Sequence, residues 1–153
     1  MCGITGILSF TEAGSRHLSK LEVANNKMRR RGPDGGAFFM HGPVGLGHRR
    51  LSIIDTSDNA SQPMSDPSGR YTITFNGEIF NYQELREQYF PDKGDWHSQS
   101  DTEVLLHLFI KLKENCLPLL SGFFAFAIYD NQEQELFLAR DRFGKKPDRK
   151  SVV

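Results

Sequence analysis

The sequence predicts a mixed α+β fold. Short apolar runs, such as residues 70–75 and 123–129, are rich in β-branched and aromatic side chains and are bounded by Gly, Asn, Asp and Pro, as strands are. Several are joined by short turns, which suits antiparallel pairing. Between them, residues 17–30 and 104–112 place apolar side chains at helical spacing. A length of 153 residues fits one domain with a core of its own.

Composition excludes several function classes. Lys and Arg total 19 and Asp and Glu total 19, so no net charge draws the chain to nucleic acid or to a membrane surface. No apolar run approaches the ~20 residues of a membrane span. The N-terminus lacks the basic and apolar regions of a signal peptide. Cys2 and Cys116 are far apart and make no disulfide framework, which points to a reducing, cytoplasmic setting.

Taken in order, the first strand is expected over residues 3–10, opened by Cys2. Met1 is normally trimmed when residue 2 is small. Cys2 would then carry a free α-amine and a thiol, groups that titrate near ~8 and ~8.5 when unperturbed. One residue would thus hold a nucleophile and its base. A chance cysteine at a frayed terminus is the alternative. Gly3 and Gly6 lack Cβ atoms and permit close approach. Residues 11–15 read as a turn. Leu18, Leu21, Ala24 and Met28 mark one amphipathic helix over 17–30, whose basic end, Arg29 to Arg31, suits a helix C-terminus.

Residues 31–36 form a Gly-rich loop without the spacing of a phosphate-binding loop. Strands follow at 37–40 and 44–48 around a turn at 41–43. The second runs into Arg49 and Arg50. An arginine in a strand-like stretch needs a partner, either a ligand carboxylate held by two parallel hydrogen bonds or a structural Asp. Residues 56–69 lack periodicity and read as a long surface loop. The strand at 70–75 is expected to end at Asn76-Gly77-Glu78. That Asn-Gly is either an ordinary turn or a pair of donors for an oxyanion.

Asn81 with Glu84, and Ser100 with Glu103, read as capping boxes opening two helices. Asp101 in the second first turn suits the helix dipole. Cys116 and His107 read as structural. A strand over 123–129, buried on both faces, is followed by a hairpin at 130–133 and a return strand at 135–140. There is no internal repeat, no His/Cys/Asp/Glu cluster at metal-ligand spacing, and no Ser-His-Asp set.

Several strings occur together in order: Cys2, Arg31-Gly32-Pro33-Asp34, His48-Arg49-Arg50-Leu51-Ser52-Ile53-Ile54-Asp55, Asn76-Gly77-Glu78-Ile79-Phe80-Asn81, Ser100-Asp101-Thr102-Glu103-Val104 and Arg140-Asp141-Arg142-Phe143-Gly144. This ordered set resembles the glutaminase domain of glutamine-hydrolysing asparagine synthetases. That domain is a class II glutamine amidotransferase of the N-terminal-nucleophile hydrolase fold. The resemblance covers residues 1–147. It implies a four-layer αββα sandwich of two antiparallel sheets between helical layers. It further implies that Cys2 attacks the glutamine side-chain amide, with its own α-amine as proton shuttle. Asn76 and Gly77 would form the oxyanion hole, Arg50 would pair with the substrate α-carboxylate, and Glu78 and Asp101 would receive the α-ammonium. No cofactor or metal is expected in this domain. Ammonia would pass to a synthetase domain of the same longer chain that uses ATP and Mg²⁺, and the parent could be a homodimer.

Some features depart from that family. The Ser-Gly-Gly-x-Asp-Ser string of the synthetase domain is absent, and the glutaminase domain is expected to be truncated at its C-terminal end. Residues 148–153 do not continue the pattern. They back-translate in frame to GAT CGG AAG AGC GTC GTG, which resembles a sequencing adapter; a natural frameshift or a short gene is the alternative. Loss of late strands should leave a sheet edge exposed. Three readings follow: an enzyme domain, a module that binds glutamine or a partner without turnover, or a fragment that does not fold stably. Another class II amidotransferase is the further alternative. Intact Cys2, Asn76 and Gly77 favour the enzyme.

Overall fold

The computed structural model describes residues 2–52, 57–92 and 96–147. Met1, Ile53, Ile54, Asp55 and the tail at 148–153, all invoked above, lie outside them. The chain forms β1 (Gly3–Leu8), a short helix α1 (Glu12–Ser15), α2 (Leu21–Lys27), β2 (Gly35–His41), β3 (Val44–Arg50), β4 (Met64–Ser65), β5 (Tyr71–Ile79), α3 (Tyr82–Tyr89), α4 (Asp101–Leu112), β6 (Gly122–Asp130) and β7 (Glu135–Arg140). The strands make two antiparallel sheets, ordered β1-β3-β2 and β4-β5-β6-β7.

The alternation of side chains along the strands builds four layers. On β6, Phe124, Phe126 and Ile128 join Ile73 and Phe75 of β5 in a core covered by Leu105 and Leu108 of α4 and Leu85 of α3. Each such fully buried side chain contributes about 1.5–3 kcal/mol of apolar burial. The opposite faces carry Ala127 and Tyr129, which meet Val44 and Leu46 of β3. A hydrogen bond from the Thr74 hydroxyl to the Gly47 carbonyl, 3.3 Å, also crosses between the sheets. On the outer face of the first sheet, α2 lies against glycines: a Cβ at Gly45 would come within 2.8 Å of Leu21, and one at Gly47 within 3.3 Å of the Asn25 amide. The Asn25 amide donates to the carbonyls of Ala37 and His48, both at 3.2 Å. The order is therefore helix, sheet, sheet, helices, as expected.

Several local expectations are corrected. The single helix over 17–30 is instead a 3-10 turn at Leu18–Lys20 followed by α2, and the turn at 11–15 is the capped α1, with the Thr11 hydroxyl accepting from Gly14 N. The leucine spacing was right, because Leu21 is fully buried, but no side-chain cap stands where a longer helix would have to start. The strand expected to stop at Asn76 continues through Asn76, Gly77 and Glu78 to Ile79, paired throughout with β6. The Asn-Gly turn is thereby excluded. Bare Cα atoms at Gly77 and Gly122 let the strands close: a Cβ at Gly77 would sit 2.3 Å from the Phe123 carbonyl oxygen, and one at Gly122 2.1 Å from that of Glu78.

Asn81 precedes α3 but does not cap it with its side chain. Its amide instead donates to the Leu119 carbonyl and accepts from Ser121 N. Ser100 does cap α4, accepting from Glu103 N at 3.3 Å, whereas the Glu103 carboxylate turns back to His97 N and Ser98 N. Residues 57–69 are not wholly a surface loop, since Ala60 and Gln62 are buried and β4 pairs with β5. β7 is an edge of its sheet, with Leu138 half exposed.

Candidate active site

Residues of both sheets and of the start of α4 enclose a cavity of about 150 Å³. Cys2, Arg50, Asn76, Gly77, Glu78 and Asp101 all line it. Residues far apart in sequence meet there because four elements end or begin at the same level. β1 starts just after Cys2, β3 ends at Arg50, the last residues of β5 are Asn76 to Ile79, and α4 begins at Asp101.

The Cys2 thiol rests against the main chain leaving β3. Its Sγ accepts from Leu51 N at 3.3 Å and lies 3.5 Å from the Leu51 carbonyl oxygen. Gly3, beside it, is buried against Met28 of the outer layer, and a Cβ there would come within 3.1 Å of the Met28 sulfur. The terminus is thus part of the β1–β3 ladder rather than a frayed end.

Of the two arginines considered, Arg49 is buried on the outer face and its Nε donates to the Gly32 carbonyl at 3.2 Å. Arg50 points toward the cavity, and its Nη1 donates to the Ser57 carbonyl at 2.8 Å and the Ser61 hydroxyl at 3.4 Å. These acceptors help to orient the guanidinium.

Asp101 is buried, and its Oδ2 accepts from Ile79 N at 3.0 Å. Burial pushes its carboxyl up to about 6. The hydrogen bonds from Ile79 and Thr102 oppose that shift, and the nearby Glu78 carboxylate adds to it. A buried carboxylate facing a second carboxylate is matched to a cation.

Three of the lining residues that carried no assigned role in the sequence are polar and buried. His48 is fully buried on β3, and burial lowers its pKa to about 4. The Phe75 backbone opposes this and the charges of Arg50 and Arg49 add to it; neither ring nitrogen has a hydrogen-bond partner of normal geometry. The imidazole is therefore neutral near pH 7. Lys146 is buried with its ammonium 4.6 Å from the Phe123 ring centre. Burial lowers its pKa and Arg31 lowers it further, while Cys2, Asp141 and Glu78 raise it. The Asp141 carboxylate, accepting from Phe124 N, Lys145 N and Lys146 N, holds the turn that delivers it. Gln62 is the third. Its only sequence signal was the following Pro63, a turn cue that gives no hint of burial.

The residues set aside as structural lie elsewhere. Cys116 is a fully buried free thiol whose pKa burial pushes up to about 11. His107 packs on Phe90 and Trp96. Among the described residues, no group of three or more His, Cys, Asp or Glu could hold a metal ion, and no helix is long and apolar enough to cross a membrane.

A mixed α+β sandwich with a cysteine at the head of its first strand, lining one cavity with an Asn-Gly of the second sheet, has the fold of N-terminal-nucleophile amidotransferases. Among solved structures, the glutamine phosphoribosylpyrophosphate amidotransferase of B. subtilis shares this fold. It matches 92% of this chain and 37% of its own, with a TM-score of 0.72 and 23% sequence identity.

The family described as the glutamine amidotransferase domain matches residues 1–148, and the chain belongs to it. Curated relatives are narrower in kind. Asparagine synthetase (glutamine-hydrolyzing) 1 of Bacillus subtilis is 42% identical over 96% of this chain and 23% of its own length. Asparagine synthetase (glutamine-hydrolyzing) 3 of the same organism is 38% identical over 96% of this chain and 24% of its own. The asparagine synthetase of Brassica oleracea is 33% identical over 94% and 24%. The chain thus spans about a quarter of the length of these relatives.

Proposed function

We propose that this chain is a glutaminase unit, hydrolysing the side-chain amide of glutamine to glutamate and ammonia. The observation that carries the reading is that Cys2, Asn76, Gly77, Arg50, Glu78 and Asp101 line one cavity in a chain of the glutamine amidotransferase family.

In this reading Met1 is removed, and the Cys2 Sγ attacks the side-chain carbonyl carbon. The thiol proton passes by way of the Cys2 α-amine to the amide nitrogen, the C–N bond breaks, and ammonia leaves a thioester. Water then adds to the thioester, the S–C bond breaks, and the proton returns to sulfur. The Asn76 amide and the Gly77 N–H donate to the oxyanion of both tetrahedral species, charge stabilisation of the kind that commonly contributes about 2.7–4 kcal/mol per donor. Arg50 holds the substrate α-carboxylate, pre-aimed by Ser57 and Ser61. Asp101, with Glu78, receives the α-ammonium.

The ammonia serves an aspartate-amidating synthetase domain outside these residues, which would supply ATP and Mg²⁺ chemistry in a cytoplasmic parent. Support comes from the names of the curated relatives, their greater length, and the two free thiols. The test is glutamate release from glutamine, measured with Cys2→Ala beside the parent. The alanine variant should release none above background. Glutamate release at the parent rate by Cys2→Ala would refute the reading.

A further inference from the structure

One buried side chain joins the separate walls of the cavity. Gln62 is 7% exposed. Its Oε1 accepts from Phe75 N at 2.6 Å, and its Nε2 donates to the Thr102 hydroxyl at 3.1 Å. Phe75 adjoins Asn76 on β5, and Thr102 adjoins Asp101 at the start of α4. The same segment, through Ser57 and Ser61, seats Arg50. Gln62, Phe75 and Thr102 themselves line the cavity.

This placement is not what the sheet alone would produce. The β4–β5 register pairs Met64 with Ile73 and Ser65 with Thr72, so its continuation sets Gln62 opposite Phe75. There the Gln62 side-chain oxygen, rather than its main chain, takes the Phe75 N–H. The main chain is released from the ladder, and the amide is left with its NH₂ free to reach α4. Both ends of the amide are used, and loss of either leaves a buried polar group without its partner.

We propose that Gln62 is a positioning residue for substrate recognition. It clips the strand bearing Asn76 to the helix start bearing Asp101, while its own segment aims Arg50. The groups that would hold the α-carboxylate and α-ammonium are thereby kept at fixed separation before the ligand arrives. Preorganisation of this kind is read in affinity, because the ligand need not order the site on binding. The inference rests on the reading of the cavity as a glutamine site.

The experiment follows alkylation of Cys2 by iodoacetamide in the full chain, by peptide mass spectrometry, with and without glutamine. Gln62→Met keeps the side-chain length and removes both bonds, whereas Thr102→Val removes only the second. The glutamine concentration giving half-protection should rise about tenfold in Gln62→Met and about threefold in Thr102→Val, the range that lost hydrogen bonds produce. Thr102→Ser, which keeps the hydroxyl, should restore the parent value. Alkylation without glutamine should stay near the parent rate, which a general loosening of the fold would not allow.

Unchanged half-protection in both variants overturns the proposal and leaves the glutamine site standing. Parallel changes in protection and in bare alkylation also overturn it. Should Gln62→Met fail to fold, the two Thr102 variants decide alone. If glutamine does not protect Cys2 in the parent chain, the reading of the cavity falls and this inference falls with it.

Discussion

Two buried titratable groups within one cavity have opposite effects on stability. Asp101 is raised to about 6 by burial, so between the ordinary carboxylate range and pH 6 the folded protein holds a proton that the unfolded chain has released. Its contribution to stability therefore falls as pH rises through that window. His48 is lowered to about 4, so between that value and the ordinary histidine range the unfolded chain holds the extra proton. Its contribution rises with pH over nearly the same window. The two slopes offset one another, and removal of either group should uncover the other. Urea unfolding of Asp101→Asn should show stability climbing more steeply than the parent's from pH 4.5 to 6, and His48→Gln should show a shallower climb or a fall. Slopes identical to the parent's in both variants would contradict this account. The same ionisation bears on the proposed recognition: if Asp101 receives the α-ammonium it must be charged, and affinity for glutamine should then improve as pH rises through about 6.

At the scale of elements, the β5–β6 pair carries the most demanding geometry. Gly77 lies two residues from the end of the ladder, where an added methyl would stand 2.3 Å from the Phe123 carbonyl oxygen and 2.7 Å from the Phe124 Cα. Those are backbone atoms and cannot swing aside. Gly77→Ala should lower unfolding stability by about 1–3 kcal/mol through overpacking, read as a lowered urea midpoint. This matters for interpreting activity, because loss of turnover in that variant would report a displaced strand as much as a lost oxyanion donor. Gly77→Ala with the parent's midpoint would show that the strands can part more easily than their pairing suggests. The far end of the same pair is fastened differently. Arg70 meets Asp130 in a two-pronged contact at 2.8 and 2.7 Å, and Asp130 also accepts from Gln132 N and Glu133 N to close the turn into β7. Its carboxyl is held well below the usual range by that arginine.

For the whole molecule, the site belongs to no single layer. Cys2 and Arg50 come from one sheet, Asn76 to Glu78 from the other, and Asp101 from the helical layer outside the second sheet. A ligand bound there must tie the layers together, so glutamine should stabilise the entire fold. A Cys2→Ala protein, which would bind without consuming the ligand, should gain about 2.7 kcal/mol at a hundredfold excess over the dissociation constant. Thermal unfolding would show this as a rise in Tm that grows with glutamine concentration and is smaller with an amino acid lacking the side-chain amide. A Tm indifferent to glutamine would mean that the folded chain does not bind it.

Much of this was legible in the linear chain. Apolar runs rich in β-branched and aromatic residues determined β5, β6 and β7, and the Ser100 cap determined the start of α4. A cysteine leading into a strand marked an end of the chain that lines the cavity, although β1 is half-buried rather than buried. These are local signals, set by side-chain alternation and by hydrogen bonds a few residues long. What only the tertiary structure decided involves pairs distant in sequence. Asn-Gly reads locally as a turn, and only the presence of β6 alongside, with Gly122 opposite Ile79, keeps it extended. Asn81 reads as a cap and is instead used by Leu119 and Ser121. Gln62 lies in a stretch whose composition is that of a solvated loop, yet it is buried because Phe75, 13 positions away, needs an acceptor, and Thr102, 40 positions away, offers one. Composition and periodicity report how a residue relates to its neighbours along the chain; they carry no information about a backbone N–H that the sheet has left unpaired, and that distant demand placed Gln62.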